Sequence, residues 1–356
     1  MGSAVCIIVA VLAFWARGIS ADMCGVDSTD PESMNCNTGM DGSAGTVDGT
    51  VYESLTVARA PVVSGLSYNF YEKTCPNYQT IIQQAVTQAL QANPLQAAGL
   101  TRIMFHDCFI QGCDASLLLT GSNSEQSYVP NQTLRQESFQ LLNQIKSTLE
   151  QNCPNTASCA DIISQAAAEA IKQTKGPSIT VPAGRRDGTS TASQNTVSNG
   201  LPSPFNNVSQ NMPIFSNLGF DYTDFVALSG AHTLGQAHCS AFSGRLRPTF
   251  DVNLDVNFAN TLSQLCPTGS NNVHSLDDTM TYFDNKYFKQ VLSGDVLLTS
   301  DASLELDSHT AYLVKQYARS TSKFDFQFSR SFVKMSQLNV LTGSAGVIRK
   351  TCSAAN

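Results

Sequence analysis

The sequence predicts a mainly α-helical protein with minor β structure. Three observations carry that expectation: apolar residues recur at helical spacing in several stretches, helix-end residues stand where those stretches begin and stop, and alternating strand-like runs are short and few. Cys75-Pro76 opens the first stretch, with Ile81, Ile82, Ala85, Ala89 and Leu90 behind it, and a proline suits a first helical turn. Pro94 opens the second, through Leu95, Ala98, Arg102 and His106. Ser158 and Asp161 have the spacing of a capping box ahead of Ile162 to Lys172. Asp221 stands at an N-cap position for a helix running from Tyr222 to His232, which Gly235 is placed to end.

Composition narrows the possible functions. The 356 residues are 42% apolar, enough for one large domain or two moderate ones. Only 14% are charged, the net charge is −7, and no basic stretch occurs, which argues against a nucleic-acid partner. The only long apolar run, Val5 to Ala16, is too short to span a bilayer comfortably and suits the core of a signal peptide, residues 1–21, although no lysine or arginine precedes it. Residues 22–64 hold seven acids against Arg59 alone and are rich in Gly, Ser, Thr and Asp. That is the composition of a disordered extension or propeptide. Residues 65–356 are the nearly neutral globular body.

Eleven cysteines point to an oxidising compartment. Cys6 would leave with the signal. Cys24 and Cys36 lie in the extension, and eight cysteines in the body allow 105 pairings among which sequence does not choose. No Cys-x-x-Cys pair occurs, which disfavours both a zinc site and a thiol-disulfide oxidoreductase.

The chemistry concentrates on two of five histidines. Gly-x-Ser-x-Gly, His-Glu-x-x-His and a Walker loop are all absent. Arg102 and His106 stand at i and i+4, so a fixed cation and an imidazole share one helix face. Asp107, Asp114 and Ser116, with the carbonyls of Ile110 and Gly112 in the Cys108-to-Cys113 loop, are hard oxygen donors of the kind that suit calcium. His232 follows Ser229-Gly230-Ala231, small residues that would let a flat cofactor approach.

Taken together, the motifs resemble the secretory (class III) haem peroxidases of plants over roughly Leu66 to Cys352. The resemblance rests on Phe70-Tyr71 with Cys75-Pro76; Arg102-x-x-Phe105-His106-Asp107-Cys108-Phe109 with Gly112-Cys113-Asp114-Ala115-Ser116; and Ser158-Cys159-Ala160-Asp161. It continues through Val181-Pro-x-Gly184-Arg185-Arg186-Asp187, Leu201-Pro202-x-Pro204-Phe205, Asp224-x-Val-Ala-Leu-Ser-Gly-x-His232-Thr233, Phe283-Asp284-Asn285-x-Tyr287 and Ser300-Asp301.

The resemblance implies a two-domain helical fold with one haem b between distal and proximal halves, and two calcium ions. It implies His232 as the axial iron ligand, with Asp301 as the carboxylate partner of its other ring nitrogen. His106 would be the distal base, Arg102 the cation that stabilises the peroxide anion, and Asn131 the hydrogen-bond acceptor that orients His106. Glu125 would link Asn131 to the distal calcium through water, and Pro202 would help hold a phenolic donor. The distal calcium would take Asp107, Ile110, Gly112, Asp114 and Ser116; the proximal one Thr233, Asp277, Thr279, Tyr282 and Asp284. The implied disulfides are Cys75–Cys153, Cys108–Cys113, Cys159–Cys352 and Cys239–Cys266, leaving Cys24 and Cys36 to each other. Asp161 and Arg185 would form a buried, structural ion pair.

Departures from the pattern are Ile179 where tryptophan is usual, Met280 after Thr279 in place of proline, and one residue fewer between Asp277 and Thr279. The shortened spacing asks either for a stretched backbone or for Asp278 as the ligand. Asn131-Gln-Thr matches a glycosylation acceptor, but an asparagine bonded to a catalytic histidine could not carry a glycan, so Asn207-Val-Ser is the better acceptor. The expectation is a monomeric, secreted glycoprotein that reduces hydrogen peroxide and oxidises small phenolic donors near Val129, Pro130, Pro202, Pro204 and Phe205. It needs no membrane, and its short tail after Cys352 favours an extracellular over a vacuolar address. A non-catalytic, calcium-bound carbohydrate-binding protein on the same fold is the alternative, and it predicts loss of Arg102, His106 or Asp301.

Overall fold

The computed structural model describes residues 61–355 and, before them, the backbone of four two-residue strands. The chain divides into units 1–56 and 57–356. In the first, β1 (Gly25–Val26) pairs antiparallel with β2 (Met34–Asn35), and β3 (Thr46–Val47) with β4 (Thr50–Val51). The signal peptide, most of the expected disordered extension and the pairing of Cys24 with Cys36 lie outside the described residues. Pro61, Val63 and Ser64 are described, and they belong with the body: the Val63 N–H donates to Gln337 Oε1 at 2.8 Å, and Gln337 Nε2 donates to the Pro61 carbonyl at 3.1 Å.

The body is mainly helical. Its first half is built from α1 (Tyr78–Ala92), α2 (Gln96–Cys108), α3 (Gln136–Asn152) and α4 (Cys159–Gln173). The short α5 (Gln194–Gly200) and α6 (Val208–Asn217) lead into the second half. That half comprises α7 (Tyr222–Ser229), α8 (Val256–Leu265), α9 (Lys286–Ser293), α10 (Thr299–Leu306), α11 (Ala311–Arg319) and α12 (Thr321–Met335). The body's one sheet pairs β5 (Gln236–His238) with β6 (Val273–Ser275). Among the described residues no helix is long and apolar enough to cross a membrane.

In the first half α4 is the central element. Twelve of its fifteen residues are buried, and alanines at 160, 166, 167, 168 and 170 let α1 and α2 pack closely against it. The second half is filled with aromatics: Phe283 stacks on Phe324 at 5.2 Å, with Phe288, Tyr317 and Phe328 edge-on or tilted around them. A smaller core around Phe242, Leu246, Leu262 and Leu297 lies beside the Cys239–Cys266 bridge. The other bridges are Cys75–Cys153, Cys108–Cys113 and Cys159–Cys352, so all four implied pairs are present.

Three local expectations need correction. Pro76 precedes the Asn77 N-cap and lies outside α1. The helix expected to reach His232 ends at Ser229 and continues as a 3-10 turn, Gly230–Thr233, before Gly235 turns the chain at φ +97°. Ser158 does cap α4, accepting from the Asp161 N–H at 3.1 Å, but the capping box is not closed because Asp161 is used elsewhere.

Its Oδ2 accepts from Tyr71 Oη at 2.6 Å and the Gly184 N–H at 2.8 Å, and its Oδ1 from Arg185 Nη1 at 2.8 Å. Arg185 Nε donates onward to the Ser336 carbonyl after α12 at 2.7 Å. Both ion-pair side chains are fully buried, so one without the other is an uncompensated charge. Replacing Arg185 with Leu should therefore cost about 3–5 kcal/mol. Thermal and urea denaturation of the variant would measure it; a loss under about 1 kcal/mol would show that Asp161 finds another partner.

Candidate active site

Arg102 and His106 lie on the same face of α2, where the i, i+4 spacing brings Arg102 Nε within 3.2 Å of His106 Nε2. The other imidazole nitrogen is fixed: Nδ1 lies 2.6 Å from Asn131 Oδ1, and Asn131 Nδ2 donates to the Glu125 carbonyl at 2.9 Å. An amide oxygen only accepts, so the Nδ1 proton is held and Nε2 carries the lone pair. Burial, and then the Arg102 charge, push the His106 pKa down to about 3 against the pull of Asn131. Arg102 itself is lowered to about 10 by burial and stays cationic at neutral pH.

The guanidinium is anchored by Thr133, which the sequence did not single out, and by Pro130, expected only near the donor. Nη1 donates to the Thr133 hydroxyl and carbonyl at 3.0 and 3.2 Å, and Nη2 to the Pro130 carbonyl at 3.0 Å. Glu125 meets Asn131 through its backbone carbonyl. The carboxylate accepts from the Ala192 N–H at 2.9 Å through Oε1, while Oε2 is buried without a hydrogen bond.

His232 sits in the 3-10 turn after α7. Its Nδ1 is 2.8 Å from Asp301 Oδ1 in the first turn of α10, and the same oxygen accepts from Tyr287 Oη at 2.8 Å. Tyr287 was visible only as a motif residue; nothing in the sequence gave its hydroxyl this task. Burial opposes protonation of His232, but the Asp301 charge and hydrogen bond outweigh it and raise the pKa, with Arg102 acting weakly in opposition. The ring is half-buried, with 38% of its side-chain surface accessible. Gly230, one of the small residues before it, lies against the Phe324 ring of α12, which a Cβ there would strike.

Two oxygen-rich clusters flank these histidines. In the first, Asp107 accepts from the Ala115 N–H at 2.9 Å and the Leu117 N–H at 3.3 Å, and Asp114 from the Ser116 N–H at 2.9 Å. Gly112 turns the loop at φ +117°, its carbonyl accepting from Asp114 N–H at 2.8 Å, and Ile110 N–H donates to the Asp107 carbonyl at 3.4 Å. Ser116 Oγ is buried without a hydrogen bond. Burial, then the neighbouring Asp114, push the Asp107 pKa well up. Crowded buried carboxylates beside unpartnered oxygens are what a hard cation relieves.

The second cluster gathers round Thr233 Oγ1: Asp277 Oδ2 lies at 2.7 Å, and the Tyr282 carbonyl and Asp284 Oδ1 each at 3.4 Å. Thr279 Oγ1 joins, 3.2 Å from both Asp277 Oδ1 and Asp284 Oδ1. One hydroxyl proton cannot satisfy three acceptors at once, so the cluster is rich in unshared lone pairs. Asp277, not Asp278, faces inward; Asp278 is exposed and pairs with Lys286 at 3.0 Å. Burial, with Asp284 adding, lifts Asp277 to about 6 against hydrogen bonds from Thr233 and Thr279. Among the described residues no three His, Cys, Asp or Glu side chains form a metal-binding group. Each cluster instead combines two of its expected acids with hydroxyls and carbonyls.

At the rim, Val129 and Phe205 are 74% and 60% exposed, and Pro202 is half-buried. The loop is tied to the proximal side, because the Ser300 N–H beside Asp301 donates to the Pro204 carbonyl at 3.1 Å. Asn131 is 1% exposed, which excludes a glycan there. Asn207 is exposed and caps α6 through Oδ1 alone.

A protein-family model described as Peroxidase matches residues 82–320. The chain is 43% identical over 302 residues to Peroxidase 12 of Arabidopsis thaliana, covering 83% of this chain and 84% of that one. It is also 43% identical over 302 residues to the cationic peroxidase SPC4 of Sorghum bicolor, covering 83% of each, and 43% identical over 295 residues to Peroxidase 47 of Arabidopsis thaliana, covering 82% of this chain and 89% of the relative. A family match over more than half the chain, together with relatives this similar over most of it, leaves one conclusion: the chain belongs to the class III plant peroxidases.

Proposed function

We propose that this peroxidase is a secreted haem enzyme that reduces hydrogen peroxide and oxidises small phenolic donors by one-electron steps. The observation that carries the reading is the pair of oppositely tuned imidazoles: His106 held neutral by burial and Arg102, His232 made basic by Asp301. Bound through His232 Nε2, haem b would supply the redox chemistry that splits the peroxide O–O bond. The residues supply the rest. His106 Nε2 takes a proton from hydrogen peroxide while Asn131 keeps Nδ1 protonated, and it returns that proton to the departing oxygen. Arg102 must release Nε2 to admit the peroxide, and from its Thr133 and Pro130 anchors it then faces the developing anion. Asp301 fixes the orientation of His232 and raises its basicity, and Tyr287 holds the carboxylate in place. The exposed rim at Val129 and Phe205, with Pro202 behind it, suits a planar donor.

The two oxygen clusters are proposed calcium sites, the first through Asp107, Ile110, Gly112, Asp114 and Ser116, the second through Thr233, Asp277, Thr279, Tyr282 and Asp284. Extracellular delivery is supported by four disulfides and by the signal-like residues 1–21, with most of residues 22–64, short of Pro61, as an extension. Glycosylation is assigned to Asn207, and the enzyme is taken to be monomeric.

A haem spectrum with a guaiacol assay tests the core of this reading. His232→Ala should lose stable haem, whereas His106→Leu should keep it and slow the peroxide step by ~10²–10⁴. An unchanged Soret band in the first, or unchanged rapid-mixing kinetics in the second, would remove the assignment.

The pH profile is a separate check. With its pKa near 3, His106 is unprotonated at every pH above that, so the peroxide step should run flat from neutral pH to about 4 and fall below it. Asn131→Asp would place a carboxylate on Nδ1, favour the imidazolium and move the acid limb to higher pH. A limb that stays in place would show that Nδ1 does not control the base.

At the second oxygen cluster, a proton on Asp277 competes with calcium, and its pKa near 6 sets where. Chelator titration should remove this ion more readily at pH 5 than at pH 7, and Asp284→Ala should abolish the same binding step. One calcium per haem in the parent protein at pH 7 would show that the site does not bind.

A further inference from the structure

We propose that Arg349, from the C-terminal segment, is a positioning residue for the distal calcium loop, acting through the backbone of Ala115. This rests on the calcium reading above. Arg349 is fully buried, and its Nη2 donates to the Ala115 carbonyl at 2.6 Å. Ala115 lies between two proposed ligands, Asp114 and Ser116, and adopts a left-handed conformation with φ 59°. Alanine pays for that conformation and glycine does not. Ala115 is held from both sides: its N–H donates to Asp107 Oδ2 at 2.9 Å, and its carbonyl accepts from Arg349.

Arg349 is itself built into the fold. Val347 and Asp187 exchange backbone hydrogen bonds at 2.8 and 2.9 Å, the Arg349 N–H donates to Asp187 Oδ2 at 3.0 Å, and Cys352 is bonded to Cys159. The neighbouring Gly188 N–H donates to the Asp114 carbonyl at 2.8 Å. The C-terminal segment and the 187–188 turn therefore grip the loop at successive residues. Arg349 Nε and Nη1 are buried without hydrogen bonds, Nε lying 3.8 Å from Asp187 Oδ2. Only one of the three guanidinium nitrogens is spent on a hydrogen bond, and it is spent on Ala115.

Charge alone would give the opposite result. Asp107, Asp114 and Asp187 all act on Arg349, so a purely electrostatic Arg349 would repel calcium and its removal would tighten binding. Positioning predicts that removal loosens binding, whether or not a positive charge is kept.

The experiment measures calcium release from the full-chain holoenzyme into excess chelator, for the parent, Arg349→Met, Arg349→Lys, Ala115→Gly and the double variant Arg349→Met/Ala115→Gly. Asp114→Asn identifies the distal phase as the one it abolishes. Both Arg349 variants should speed that phase by the ~10–100-fold typical of groups that orient metal ligands. Ala115→Gly alone should leave it near the parent rate. In the double variant it should restore much of the loss, since glycine holds the left-handed turn without the anchor. Arg349→Lys preserves charge and bulk should the Met variant fail to fold. Unchanged or slower release in the variants, or no rescue by glycine, would overturn the proposal. A parent protein with no phase sensitive to Asp114→Asn would instead remove the distal calcium reading, and this inference with it.

Discussion

Each histidine of the site keeps its Nδ1 in a hydrogen bond to a fixed oxygen, and the charge on that oxygen separates their tasks. His106 is buried and His232 half-buried, and desolvation alone would lower both pKa values. At His106 the partner is a neutral amide, Asn131 Oδ1, so burial and Arg102 prevail and the ring stays an unprotonated base. At His232 the partner is the Asp301 carboxylate, whose pull outweighs burial and makes the ring a strong donor through its other nitrogen. Much of the surrounding architecture serves to hold those two oxygens. Asn131 is held by the Glu125 carbonyl, and Asp301 by Tyr287 and by its place at the start of α10.

The same economy of buried charge governs the flanking loops. Each places a second carboxylate close enough to raise the pKa of the first, Asp114 acting on Asp107 and Asp284 on Asp277, and each leaves oxygens without enough protons to satisfy them. Such clusters are costly in the protein alone and become favourable when a divalent cation supplies the missing charge. Asp107 adjoins His106 and Thr233 adjoins His232, so each loop is one peptide unit from the imidazole it flanks. Order in the loops is therefore order in the site. Asp161 and Arg185 solve the same problem internally, by pairing with each other and tying α4 to the end of α12.

Much of this was legible in the sequence because it depends on local spacing. The i, i+4 relation of Arg102 and His106, the Asp221 cap and the tight Cys108-to-Cys113 loop are all set within a few residues. The resemblance to a known family then supplied distant pairs, Asn131 with His106 and Asp301 with His232, that no local rule could connect. Where local reading failed, tertiary contacts had redirected a side chain. Asp161 had the spacing of a capping box, but Tyr71, Gly184 and Arg185 engage its carboxylate.

By itself the sequence determined the helical class, the candidate side chains of the site and the chemistry that such side chains can perform. Only the tertiary structure decided which acceptors hold Arg102, that Asp277 turns inward while Asp278 pairs with Lys286, and that Tyr287 shares Asp301 with His232. It also decided that Arg349, more than two hundred residues along the chain, donates to Ala115. The physical reason is the range over which each choice is made. A helix face or a turn is fixed by neighbours in the chain, whereas a buried polar atom takes whichever partner packing brings within hydrogen-bond reach.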